Sequence, residues 1–300
     1  MNQESCIAIL APGLLGGSLA LAIQETLPKA TLHVWARRAE ALDEVRARVP
    51  RAICTTDIAT AVGGATLAIL CMPVPHMRAA AQQIASVPVS SQLIVTDVGS
   101  VKGSVMTGVA PLLAEQGISF IGSHPMAGSH ATGMAAARAD LFEKAACLLT
   151  PEENTPATAL GRLRAFWTAL GCRVLEMSPA EHDRAVARIS HLPHAMAVLT
   201  TLAALAPDPA VLACSAGGFR DTTRVAAGDP AMWTGILRDN RTEVTAALRD
   251  AASGLSRLLE MLDQPDDTAL LQFLTRAKSL RDLLPPPGTS APEIRPNSIE

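Results

Sequence analysis

The chain has 300 residues, 49% hydrophobic and 18% charged, with a mean hydropathy of +0.25 and a formal net charge of −3. That length and apolar content suit about two domains with cores of their own and exclude global disorder. With 25 Lys and Arg against 28 Asp and Glu, there is no basic excess to neutralise a phosphate backbone, so no nucleic-acid partner is expected.

Residues 6–10 (CIAIL) form an apolar run that reads as a buried strand. No basic segment precedes the run as it would in a signal peptide. A helix over 14–25 stops near Pro28, a strand follows over 31–35, and 39–48 reads as a charged amphipathic helix. Strands are predicted over 66–71 and 93–96, with a helix over 76–85 between them. Continuous apolar strands alternating with helices imply a doubly wound parallel sheet covered on both faces, an α/β fold. Residues 118–121, 146–149 and 173–177 are expected to add edge strands, and 157–170 a helix. From Ser178 the β signal stops, and 179–205, 211–213, 230–262 and 267–284 read as helices rich in Ala and Leu. The boundaries expected are therefore 1–177, 178–284, and a tail over 285–300. The Pro, Gly and Ser of that tail predict disorder. No stretch approaches the roughly 20 apolar residues of a membrane span. Six scattered cysteines without a C-x-x-C pair exclude a zinc ribbon and point to reduced thiols in a cytoplasmic protein.

The segment IAILAPGLLGGS (7–18) follows the first strand and opens the first helix, the context a dinucleotide fingerprint requires. Helix N-terminal N–H groups bind a pyrophosphate. Gly13 lets backbone approach the phosphates, and Gly16 lets the helix pack on the sheet. The first domain thus reads as a Rossmann-type dinucleotide-binding domain. Ala11 replaces the first glycine of the fingerprint and is expected to keep a negative φ. After the second strand, Ala36-Arg37-Arg38 stands where an acid would hold the ribose hydroxyl of NAD. Two arginines favour NADP, with NAD as the other candidate, although they also fit a solvated helix start. Cofactor-binding residues expected are Gly13, Leu14, Leu15, Gly16, Arg37, Arg38, Cys71 and Met72.

Further segments carry chemistry: TDVGSVK (96–102), GSHPMAG (122–128), SPAEHD (178–183), ISHLPHA (189–195), GGFRDTTR (217–224) and DPAMW (229–233). In this order, with the glycine loop, they resemble the prephenate/arogenate (cyclohexadienyl) dehydrogenases of tyrosine biosynthesis over nearly the whole chain. The resemblance implies a Rossmann domain followed by an all-helical dimerisation domain, hence a homodimer. It also implies NAD(P)-dependent oxidative decarboxylation. A hydride leaves C4 of a cyclohexadienol while the ring carboxylate departs as CO₂, and aromatisation drives the step without a metal. What remains for the protein is to remove the C4 hydroxyl proton and to place C4 against the nicotinamide.

The resemblance makes His124 the group that accepts or polarises that proton, and an imidazole titrating near neutrality suits the task. Ser100 would hydrogen-bond the same hydroxyl or His124, and on its own also reads as a helix N-cap. Arg224 would clamp a substrate carboxylate, a guanidinium being a permanent bidentate cation. The bland alternative is an ion pair with Asp221. His194 is assigned to substrate binding with His191 nearby, while the residues alone read equally as satisfied polar groups where Pro193 bends a helix. Trp233 would wall the pocket or fill a core. Ser129 and His130 come after the GSHPMAG segment where the family discriminates substrates, and His130 favours prephenate over arogenate. Two other readings stand beside this one. A Rossmann β-hydroxyacid or imine dehydrogenase would use a lysine base, against which GSHPMAG and the histidine pair argue. A redox-sensing module holding NADP would need no His–Ser pair.

Overall fold

A computed structural model describes residues 5–128 and 131–284. Ser129, His130 and the expected tail over 285–300 lie outside them. By compactness the chain divides into two units, Met1–Val244 and Thr245–Glu300.

The first unit is built on a six-stranded sheet. Its strands are β1 (Cys6–Leu10), β2 (Thr31–Trp35), β3 (Ile53–Thr55), β4 (Leu67–Leu70), β5 (Ile94–Asp97) and β6 (Ser119–Phe120), in the order β3-β2-β1-β4-β5-β6. Every pairing is parallel. The order reverses between β1 and β4, so a crevice opens beyond the carboxyl ends of these strands, where Rossmann-type sheets bind ligands. Along β1 alternate side chains enter opposite cores. Ile7 and Ile9 join one apolar cluster, and Ala8 and Leu10 join the other. A strand buried on both faces must be apolar at every position, which is why CIAIL shows no alternation.

Helix α1 (Leu14–Thr26) covers the first face through Leu19 and Ile23, and α2 (Asp43–Arg48) adds Val45 to that face. On the other face lie α3 (Ile58–Val62), α4 (Val74–Ala85) and α5 (Gly103–Ala114), which contribute Val62, Met77, Ile84 and Val109. A second sheet comes next in the chain. In it β7 (Gly122–Pro125) runs antiparallel to β8 (Ala146–Thr150), and β8 runs parallel to β9 (Arg173–Glu176). Helix α6 (Ala157–Ala169) joins these to the first core through Phe166 and Trp167, the latter edge-on to Phe142 at 5.8 Å. Three of the eight Phe and Trp residues of this tyrosine-free chain, Phe142, Phe166 and Trp167, meet here.

The remainder is helical: α7 (Pro179–Val186), a π-helical turn over Ala187–His191, α8 (Leu192–Leu205), α9 (Gly217–Thr223), α10 (Pro230–Asp239) and α11 (Arg241–Leu262). Helix α11 begins in the first unit. The second unit contains its remaining turns and α12 (Thr268–Asp282).

Several expectations are corrected. The strands at 146–149 and 173–177 do not extend the main sheet but form the second sheet, where β8 pairs with both β9 and β7, a strand not predicted because GSHP contains glycine and proline. The strand at 118–121 shrinks to two residues. The helix over 39–48 is a 3₁₀ turn followed by α2. The helix over 179–205 is interrupted by the π turn, and that over 230–262 breaks at Asn240. Ala11 adopts φ +78°, not a negative value. The glycine-loop turn imposes it, since Ala11 N–H donates to the Trp35 carbonyl and its own carbonyl accepts from Gly13 N–H.

Candidate active site

The glycine loop leaves β1 at the switch point. A Cβ on Gly16 would stand 2.3 Å from the Ala11 carbonyl oxygen and 3.1 Å from the Cys71 Cβ, so only glycine fits there. A Cβ on Gly13 would meet nothing within 4 Å, and its φ of −74° suits any residue. Steric freedom above Gly13 is therefore space kept open, not a backbone requirement. Helix α1 carries no side-chain cap and no acid in its first turn, so its N-terminal N–H groups remain available. Leu14 and Leu15 begin the helix half-buried, and Cys71 and buried Met72 follow β4 beside the loop. Arg37 and Arg38 are exposed after β2, with no ion-pair partner among the described residues. These groups fit a dinucleotide: a cradle open over Gly13, a free helix N-terminus, and cations at the ribose end.

Across the carboxyl edge lies a buried polar cluster. β5 ends in Asp97, whose Oδ1 accepts from Ser123 N–H (3.1 Å) and whose Oδ2 accepts from Gly99 N–H (2.8 Å). Asp97 also pairs with the Lys102 ammonium, both side chains being fully buried. Ser123 is further held by Thr96 (2.6 Å) and by the Trp167 indole N–H (3.1 Å). Gly122 before it is obligatory, since a Cβ would stand 2.4 Å from Thr150 Oγ1. These contacts fix β7 and so place His124, which is 8% exposed.

His124 Nδ1 lies 2.9 Å from His182 Nε2. His182 Nδ1 lies 2.8 Å from Asp183 Oδ1. The Asp183 carboxylate also accepts from Lys102 N–H and Gly103 N–H, each at 2.8 Å, at the start of α5. Asn240 donates to the Asp183 carbonyl at 2.8 Å and lies 3.2 Å from His191 Nδ1. Among the described residues, His191 Nε2 and His194 Nδ1 are buried with no hydrogen-bond partner. The His194 ring stacks on Trp233, with centroids 3.5 Å apart and planes 8° apart, and His191 meets Trp233 edge-on at 6.1 Å. Substrate-sized polar groups have two ring nitrogens to meet here.

Burial, then the Lys102 cation, then His182 and His191, hold the His124 imidazole well below its ordinary 6.5. The expectation that it titrates near neutrality is corrected: His124 is neutral throughout the physiological range. Burial also lowers His191, to about 4, with His182 and His194 adding to the shift and Asp183 opposing it. Asp183 lies below its usual range because the His182 hydrogen bond and the two α5 N–H groups outweigh the upward push of burial.

Ser100 lies half-buried between β5 and α5, and its hydroxyl has no partner among the described residues. It is not the cap of α5. That position is Lys102, and the capping carboxylate comes from Asp183. Arg224 is exposed in a 3₁₀ turn and, among the described residues, makes no ion pair with Asp221. Its neighbour Val225 offers a backbone carbonyl to His194. The structure thus brings together His124, His191, His194 and Trp233 from the expected set. It adds His182 and Asp183, for which the adjacent His-Asp in SPAEHD was the available signal, and Asn240, which no motif marked.

Comparison with known proteins matches residues 19–176 to the prephenate dehydrogenase nucleotide-binding domain family and residues 178–276 to the prephenate dehydrogenase dimerization domain family. The chain is 34% identical to a prephenate dehydrogenase of Bacillus subtilis, over 95% of this chain and 78% of that protein. It is 33% identical to a cyclohexadienyl dehydrogenase of Zymomonas mobilis, over 92% and 94%. A solved prephenate dehydrogenase of Aquifex aeolicus, in complex with hydroxyphenyl propionate and NAD+, superposes with a TM-score of 0.80 at 27% identity, covering 93% of this chain and 98% of that one. An arogenate dehydrogenase of Synechocystis superposes with a TM-score of 0.80 at 28% identity, covering 92% and 99%.

Proposed function

The chain belongs to the prephenate dehydrogenase family, and from that premise we propose that it converts prephenate to 4-hydroxyphenylpyruvate with His124 as its base. It is an NAD(P)-dependent oxidoreductase, and the bound nicotinamide supplies a hydride acceptor. The observation that carries the assignment of His124 is a neutral, buried imidazole whose Nδ1 is taken by His182, leaving Nε2 for substrate.

His124 Nε2 takes the proton of the C4 hydroxyl. The O–H electrons form the C4 carbonyl bond as hydrogen leaves C4 as hydride. The electrons of the bond from the ring to its carboxylate enter the ring, CO₂ departs, and the resulting phenolate recovers the proton from His124. Ser100 orients the hydroxyl. Arg224 binds a carboxylate of the dianion, and His191, His194 and Trp233 line the same site, with the histidine nitrogens as polar contacts and the indole as an apolar wall. Ser129 and His130 complete the substrate end on the strength of the sequence alone.

Leu14, Leu15, Cys71 and Met72 would border the cofactor, and the loop at Gly13 and Gly16 would hold its pyrophosphate. The exposed pair Arg37 and Arg38, with no acid before Glu40, favours NADP. The protein acts as a homodimer through the matched dimerization domain. Six unpaired cysteines fit a reducing cytoplasm, and among the described residues no helix is long and apolar enough to cross a membrane. The test is nicotinamide reduction monitored at fixed enzyme with prephenate or arogenate and with NAD or NADP. Prephenate with NADP is expected to give the highest kcat/KM. Activity with arogenate alone would overturn the substrate, and a preference for NAD would overturn the cofactor.

A further inference from the structure

We propose that Asp183 and His182 are positioning residues that lock the His124 ring in one tautomer, with Nδ1 protonated and Nε2 bare. The proposal deepens the reading of His124 as the base.

Asp183 accepts from two backbone N–H groups at the start of α5, Lys102 and Gly103, each at 2.8 Å. A negative charge is favoured at a helix N-terminus, and an ionised carboxylate has only acceptors to offer. The start of α5 is shaped for it, because a Cβ on Gly103 would stand 2.8 Å from Asp183 Oδ2. The third partner of this carboxylate, His182 Nδ1 at 2.8 Å, must therefore carry a hydrogen. A neutral imidazole has one N–H, so His182 Nε2 is left as an acceptor. The group 2.9 Å from it is His124 Nδ1, which must donate. His124 Nε2 then holds a lone pair, as a base requires.

The alternative is a doubly protonated His182, which would reverse the chain and put the hydrogen on His124 Nε2. It would place a cation on a ring that is 0% exposed, where Asp97 is already paired with Lys102 and Asp183 already accepts from two backbone N–H groups, and burying an ion is costly. During the proton transfer His124 becomes an imidazolium. His182 Nε2 accepts its Nδ1 hydrogen throughout, and the Asp183 charge acts on it through that ring. No proton need pass beyond His124. The constellation is ordered base, orienting ring, carboxylate.

The test combines spectroscopy with kinetics. In the wild-type protein labelled with ¹⁵N-histidine, the His124 ring shifts should report a protonated Nδ1 and an unprotonated Nε2 at neutral pH. A protonated Nε2 would overturn the proposal outright. His182→Phe fills the same volume without an acceptor, and kcat should fall about 10²-fold, the low end of general-base catalysis, with KM for NAD(P) unchanged within about twofold. His182→Gln returns an oxygen near the Nε2 position and should recover most of that loss. An unchanged kcat in His182→Phe, or equal losses in both variants, would refute the role. Should His182→Phe fail to fold, the wild-type spectrum and His182→Gln still decide. A wild-type protein inactive on prephenate would sink the functional reading instead, while its ring shifts still report the tautomer.

Discussion

His124 and Arg224 are expected to fail in different ways when replaced. His124→Asn keeps a donor near Nδ1 for His182 but has nothing to accept a proton at Nε2, so kcat should drop by about 10²–10⁴ with little change in substrate KM. Arg224→Ala removes a charge that would meet a carboxylate in ground and transition states alike, so KM should rise about 10- to 150-fold, the weight of one charged hydrogen bond. Steady-state kinetics on the two variants separate the roles. Near-normal kcat in His124→Asn would end the mechanism. Because burial and Lys102 depress the imidazole, the acid limb of the wild-type kcat profile should lie below pH 6.5, and it should vanish in His124→Asn. At the other end of the site, replacing Arg37 and Arg38 together with Ala should weaken NADP by about 1.5–3 kcal/mol per missing hydrogen bond and leave NAD nearly unchanged. Equal losses would reject the phosphate contact. The sequence made His124 and the arginines legible through local motifs. Ala11 at φ +78° was not legible, because its conformation is imposed by a hydrogen bond to Trp35, far along the chain on the next strand. His182 and Asp183 were visible only as letters in SPAEHD, since their role depends on β7 and α5 arriving from elsewhere in the chain.

At the scale of elements, the histidines depend on a helix with an irregular middle. The π turn over Ala187–His191 inserts extra backbone between α7 and α8, rotating α8 relative to His182. Pro193 lies two residues beyond it and has no N–H to give the Ile189 carbonyl, which discourages relaxation to a regular α-helix. Pro193→Ala restores that donor. Relaxation by one residue would turn His194 about 100° away from Trp233, so substrate KM should rise while the melting temperature holds or increases. An unchanged KM would show that the turn does not set the histidines. Proline at this point made a bend legible in the sequence, but not its form, because a π turn and a kinked α-helix share the same apolar spacing. The short elements were harder still. β3 has three residues and α3 five, too few for a period to register. β7 was hidden because its glycine answers to Thr150 and its proline closes the strand, reasons that exist only once the sheets have formed.

Over the whole molecule, the parallel sheet was legible because strands buried on both faces write unbroken apolar runs. The helical half was legible only as composition, since its apolar residues are not spent on its own core. Met196, Leu199 and Leu202 of α8 are exposed, as are Leu255, Leu259 and Leu262 of α11, each set at helical spacing. Apolar faces of this kind mark interfaces, and a two-fold dimer at micromolar concentration is the expected result of sedimentation. A lone monomer would contradict it. The buried histidines give the fold a further global property. His191 titrates at 6.5 when unfolded and at about 4 when folded, so between these values the unfolded chain holds one more proton than the native one. Stability is then complete above pH 6.5 and declines as pH falls towards 4, by about 1.4 kcal/mol per pH unit from this residue and about 3 kcal/mol across the window. His124, also depressed, acts in the same direction. Asp183 adds its share only below its own ordinary 3.8, so the window above pH 4 belongs to the histidines. Urea unfolding at pH 7 and pH 4.5, at one protomer concentration, should show a marked loss in the wild type and a loss smaller by about 2–3 kcal/mol in His191→Gln. Because each variant is compared with itself at two pH values, the packing that the imidazole ring supplies cancels. Identical pH losses in the two proteins would mean that His191 is not held neutral by its burial.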